Sequence, residues 1–103
     1  MTDDLDPIIH PANRLRICAL LAAGTTLELA VVKEHSGLSA SALSKQVAAL
    51  VDAGYVDQQR SRTDSRRMWL SLTREGKNAY RRHVAALRAI LAEADASPSE
   101  PGR

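Results

Sequence analysis

Phenylalanine is absent from this chain, and aromatic residues make up only 3% of it. A core built on stacked rings is excluded, so the interior has to come from leucine, valine, isoleucine and alanine, and leucine and alanine in abundance favour helices. Cysteine occurs once, at Cys18. An internal disulfide framework is impossible, and a reducing, cytoplasmic location is expected. Cys18 lies among apolar residues with nothing basic beside it in sequence, so it is expected to pack as a small hydrophobe. Apolar runs long enough to span a bilayer are missing, and the N-terminus is acidic where a secretion signal needs a basic one. Three further absences bear on chemistry: no glycine-rich phosphate loop, no paired catalytic carboxylates, and no nucleophile elbow. His10, His35 and His83 stand far apart, without acidic or thiol partners at ligand spacing. The expectation is a protein that is not an enzyme and that holds neither cofactor nor metal.

A large charge of one sign is lacking as well: the 103 residues carry a formal net charge of only +2. Its placement is more informative than its size. Asp3, Asp4 and Asp6 make the first nine residues acidic. Arg60, Arg62, Arg66, Arg67, Arg74 and Lys77 face only Asp64 and Glu75, so residues 60–77 carry +4. A basic cluster in a nearly neutral chain points to a local anionic partner, nucleic acid first.

The rest of the sequence divides by periodicity. Residues 1–9 are expected to form a short arm, 10–95 a single domain, and 96–103, rich in proline, serine and glycine, a disordered tail. A first helix runs from Pro11 to Gly24, followed by a strand stub at Thr25–Leu29 and a short helix from Ala30 to Ser36 with Val31 and Val32 inward. Gly37 stops that helix. Ser39 caps the next, in which Leu43, Val47, Leu50 and Val51 form one buried stripe opposite Ser41, Ser44, Lys45, Ala48 and Ala49. After Gly54 the period changes to two: Tyr55–Arg60 and Met68–Leu72 predict a hairpin around the polar loop Ser61–Arg67, with Trp69 packing toward the core or the closing helix. That closing helix begins at Thr73, and Tyr80, Val84, Leu87 and Leu91 recur along it. A rod of twenty-odd residues, roughly 30 Å at 1.5 Å per residue, outruns so small a domain. Its stripe is thus either an intramolecular seam or, favoured by its length, a seam with a second copy. The fold class is mainly α with a small β-hairpin wing.

These elements, in this order, resemble the winged helix-turn-helix of MarR-type bacterial regulators. The resemblance is strongest in GLSASALSKQVAALVDAGYV, Gly37 to Val56, and continues in SLTREGK, Ser71 to Lys77. The opening LDPIIHPANRLRICALLA, Leu5 to Ala22, is similar to the first helix of a short winged-helix subgroup, so about residues 5–92 are covered. The resemblance implies a homodimeric regulator of transcription that binds double-stranded DNA, more as a repressor than an activator. The helix Ser39–Ala53 would enter the major groove with Ser39, Ser41, Ser44 and Lys45 toward the duplex and Gln46 at the border. Ala49 stands where the family often has arginine, which removes one contact. Arg66 would reach the minor groove, with Arg60, Arg62 and Arg67 toward flanking phosphates. Leu15 and Cys18 of the first helix and Tyr80, Val84, Leu87 and Leu91 of the last would supply the dimer interface. The shortness of the chain leaves little room for an effector pocket, and none is predicted. Two alternatives remain open: a winged-helix module that binds protein, motivated by the weakly charged recognition helix, and an architectural protein that binds DNA without sequence preference.

Overall fold

A computed structural model describes residues 4–96. Its order is α1 (Ala12–Gly24), β1 (Thr26–Glu28), α2 (Leu29–Ser36), α3 (Ala40–Asp52), β2 (Val56–Arg60), β3 (Met68–Leu72) and α4 (Arg74–Ala96). This is the mainly helical fold with a small sheet that the periodicities predict. Among the described residues no helix is long and apolar enough to cross a membrane. The proposed tail lies, apart from Ala96, outside the described residues, as do residues 1–3.

Local chemistry sets the element ends. Pro11 stands just before α1, and Gly37, in the left-handed region at φ 73°, ends α2 while its N–H donates to the Lys33 carbonyl at 3.1 Å. The next residue but one is Ser39. Its hydroxyl accepts the Ala42 N–H at 3.2 Å, satisfying one free donor of the first turn of α3. Replacing Ser39 with alanine is expected to lower stability by about 1 kcal/mol in urea unfolding, the usual effect of deleting such a cap.

The sheet is three-stranded and antiparallel in the order β1-β3-β2, so the strand stub pairs with the hairpin. Leu27 lies opposite Leu70 and Val56 opposite Leu72. These side chains meet Ile17 and Leu21 of α1, Val32 of α2, and Leu43, Val47 and Leu50 of α3 in one core. Because strand side chains alternate, Trp69 falls on the face opposite Leu70 and Leu72. It is half-buried between its cross-strand neighbours Glu28 and Gln59, and the expectation that it faces the core is corrected.

Two further expectations change. The segment before α1 is not a free arm in its described part. The Asp6 carboxylate accepts the Ile8 and Ile9 N–H groups at 2.8 and 3.3 Å, which turns the chain inward and buries Ile9 completely. In α4 the buried line is Gly76, Ala79, His83 and Ala86. The larger Tyr80, Val84 and Leu87 lie beside it and are half-buried, because small residues let the helix approach the sheet and α1 closely. With 23 residues, α4 is about 34 Å long. Its last turns leave the domain behind: Ile90 is 45% and Leu91 63% exposed.

Candidate nucleic-acid interface

The α2–α3 turn is only three residues long, from Gly37 to Ser39, and the Ser36 hydroxyl accepts the Leu38 N–H within it at 3.3 Å. This turn and the buried Leu43, Val47 and Leu50 fix which face of α3 is left outside. Ser41, Ser44, Lys45 and Ala48 occupy that face and are exposed, with Ser39 exposed at its start. Ser41 and Ser39 hydroxyls stand 3.4 Å apart. Gln46 does not share the face: it is half-buried, and its side-chain oxygen accepts from the Arg14 guanidinium of α1 at 3.2 Å.

The loop Ser61–Arg67 folds on itself. The Ser61 hydroxyl accepts the Thr63 and Asp64 N–H groups, Ser61 N–H donates to the Arg67 carbonyl at 2.9 Å, and Arg60 donates to the Ser65 carbonyl. Asp64 accepts both the N–H and the guanidinium of Arg66, the latter at 3.2 Å. Those bonds hold the Asp64 carboxyl below its usual range, first through the backbone N–H and then through the guanidinium, so it remains an anion beside the tip. Arg67 pairs with Glu28 of β1 at 3.3 Å, tying the wing base to the sheet edge. Arg62 is exposed and has no hydrogen bond or ion pair among the described residues.

A shallow cleft of about 270 Å³ joins the two parts. Ala30 and Lys33 of α2, Ala40 and Ser44 of α3, Met68 of β3 and Arg66 of the wing all line it. The start of α3 and Arg66 of the loop therefore border one cleft, together with the Glu28 carboxylate and a cation that the sequence reading missed, Lys33. Lys33 shows no motif of its own; only the fold places it beside the wing. The N-terminal half of a capped helix next to a basic hairpin can enter a groove and meet the phosphates on either side of it.

Against known proteins, residues 13–91 match the family model described as a winged helix DNA-binding domain. The chain belongs to that family. No curated protein sequence matches it. Among solved structures, the winged helix is similar to the PcaV transcriptional regulator of Streptomyces coelicolor, at 28% identity and TM-score 0.75, over 86% of this chain and 65% of that one. It is similar to NadR, solved in complex with 4-hydroxyphenylacetate, at 26% identity and TM-score 0.70, over 86% of this chain and 67% of that one. The transcriptional regulator homologue of Pyrococcus horikoshii shares the fold at TM-score 0.82, with 20% identity, over 85% of this chain and 88% of that one. The chain thus spans about two thirds of the length of PcaV and NadR. It is a winged-helix protein of a DNA-binding family, and its fold is also that of MarR, at TM-score 0.76 and 11% identity.

The residues expected to form a dimer seam of this winged helix are placed unevenly. Leu15 is half-buried against the chain's own core, while Leu91 projects from it. Cys18 has no accessible surface and lies within the core, so it offers nothing to a second copy. Burial, helped by the nearby Asp6 charge, pushes its thiol up to about 12. Alkylation of the folded chain by iodoacetamide should therefore be slower than that of a free cysteine by roughly a thousandfold, because so little of the buried thiol is thiolate.

Proposed function

We propose that this protein is a homodimeric transcriptional repressor that binds duplex DNA in a sequence-dependent way, with α3 in the major groove and the wing at the adjacent minor groove. The observation that carries the proposal is the shared cleft: it sets Arg66 of the wing beside Ser44 of α3, so one duplex can meet both. Lys45 and the serines would contact base edges and phosphates, Arg66 the minor groove, and Arg62, Arg67 and Arg60 the flanking backbone. The exposed Ile90 and Leu91, with Leu87, Val84 and Tyr80 behind them, support a seam between two copies of α4. A two-fold axis there would present two recognition helices to half-sites about one helical turn apart.

Fluorescence anisotropy on duplexes selected from random sequence, run across a salt series, tests this reading. Tight, steeply salt-dependent binding to a near-palindromic site, well above binding to random duplex, is expected. No binding even at low salt would eliminate the DNA-binding role in favour of a protein-binding module. A second reading, an architectural binder without sequence preference, is favoured by the single cation on the outer face of α3. Equal affinity for selected and random duplex would establish it in place of the first.

A further inference from the structure

We propose that the segment Leu5–His10 is an acid-sensitive latch, closed on α4 while His83 is neutral and released when His83 takes up a proton. The Asp6 N–H donates to His83 Nδ1 at 2.9 Å across 77 positions of sequence. A ring nitrogen that accepts must keep its lone pair, so the neutral imidazole carries its proton on Nε2. Nε2 is buried and has no hydrogen-bond partner among the described residues, and the His83 side chain has no accessible surface. Protonation would set an Nδ1–H against the Asp6 N–H, donor facing donor, and would put a positive charge on a buried ring whose Nε2–H already lacks a partner among the described residues.

The surroundings offer that cation only the charge of Asp6, without a direct bond. The Asp6 carboxylate is already engaged: Oδ1 accepts Ile8 N–H and Oδ2 accepts the Tyr55 hydroxyl at 2.7 Å. From the same segment, the His10 ring meets His83 edge-on at 5.5 Å, and its charge works against a cation on His83. From α1, Cys18 is buried and neutral, and Arg14, a permanent cation, holds the Ile8 carbonyl at 2.6 Å. Tyr55, between α3 and β2, is held neutral to about pH 12 by its bond to Asp6. Glu75 and Arg82 of α4 bear on Tyr55 with opposite signs. Burial and then the His10 charge depress His83 from 6.5, against the raising effect of Asp6. A depressed histidine favours the closed state above its ordinary value, and that advantage is lost as pH falls from 6.5 toward the folded value. Opening uncovers Ile9, which is otherwise completely buried.

Hydrogen exchange and imidazole NMR of the full chain between about pH 8 and pH 5 test the latch. His83 is expected to titrate below 6.5. Protection of the Ile9 and His10 amides, corrected for intrinsic rate, should fall by up to about tenfold per pH unit below that value, while Leu50 and Leu70 amides keep theirs. In His83→Asn the amide oxygen stands where Nδ1 accepted and cannot protonate, so the acid response should vanish. In His10→Asn, which keeps His83 and its bond from Asp6, release should persist at a lower protection loss for a given pH. The latch is overturned if His83 titrates at or above its ordinary value, if Ile9 protection is flat, if Leu50 loses protection in parallel, or if His83→Asn responds like the parent.

Discussion

Replacing Gly76 with alanine is expected to destabilise the domain by at least about 3 kcal/mol, in spite of alanine's better helix propensity. Gly76 lies in the first turn of α4, where an added Cβ would stand 2.0 Å from the Tyr55 carbonyl oxygen and 2.8 Å from its carbon. Those are backbone atoms, which cannot rotate aside. They are also pinned: the Tyr55 carbonyl accepts Thr73 N–H at 3.0 Å, Thr73 Oγ1 donates to the Gly54 carbonyl at 2.6 Å, and Gly76 N–H donates to Thr73 Oγ1 at 2.9 Å. Making room for a methyl group means pulling α4 off the turn that starts β2 and breaking those bonds together. For a domain of this size the melting temperature should drop by at least about 12 °C, followed by circular dichroism. Gly54→Ala is the control. Its φ of 81° costs roughly 1–2 kcal/mol, but its Cβ would meet only the flexible Glu75 carboxylate at 3.3 Å. Propensity alone would make Gly76→Ala stabilising by about 1 kcal/mol, so the sign of the change decides. A melting temperature at or above the parent's would refute the close approach.

The double replacement of Arg66 and Arg67 by alanine should weaken duplex binding about a hundredfold near physiological salt. Each charge-assisted contact to the duplex, Arg66 in the minor groove and Arg67 at a phosphate, contributes about 1.5–3 kcal/mol, and each arginine must first give up a carboxylate, Asp64 for Arg66 and Glu28 for Arg67. A net tenfold per side chain follows. The slope of log affinity against log salt should become shallower by about 0.9 for each lost phosphate contact. Lys45→Ala should act differently, altering the preferred base by roughly 1–3 kcal/mol of discrimination with a smaller general loss. Anisotropy titrations at several salt concentrations separate the two patterns. A double variant that binds as tightly as the parent, with an unchanged slope, would remove the wing from the interface.

The sequence was most legible where structure depends on near neighbours. Ser39 and the stripe Leu43, Val47 and Leu50 announce α3 because a cap and a helical period act within a few residues. The hairpin ends were legible because the polar loop interrupts a period of two. The Leu72-Thr73 pair with Gly76 was visible as a motif, but its reason, the Tyr55 backbone lying against Gly76, is a contact across elements. The same limit hid Arg67 against Glu28, Gln46 against Arg14, and Asp6 against His83. No periodicity encodes a bond between residues tens of positions apart. The acidic N-terminus suggested a short arm; Asp6-Pro7 is itself a local turn signal, but nothing local shows that this turn lets Ile9 sink into the core.

The pairing of Arg66 with Asp64 and Arg67 with Glu28 also bears on how such a protein travels along DNA. Each carboxylate imitates a phosphate that is always within reach. On an unsuitable stretch of duplex, where α3 gains little from base edges, the arginines can return to these internal anions and let go. Where the groove fits, α3 docked as proposed would hold the position long enough for the minor groove to draw Arg66, and a phosphate Arg67, away from them. On the proposed function, a modest net charge with built-in competitors would shorten the residence on wrong sites and quicken the search for the right one.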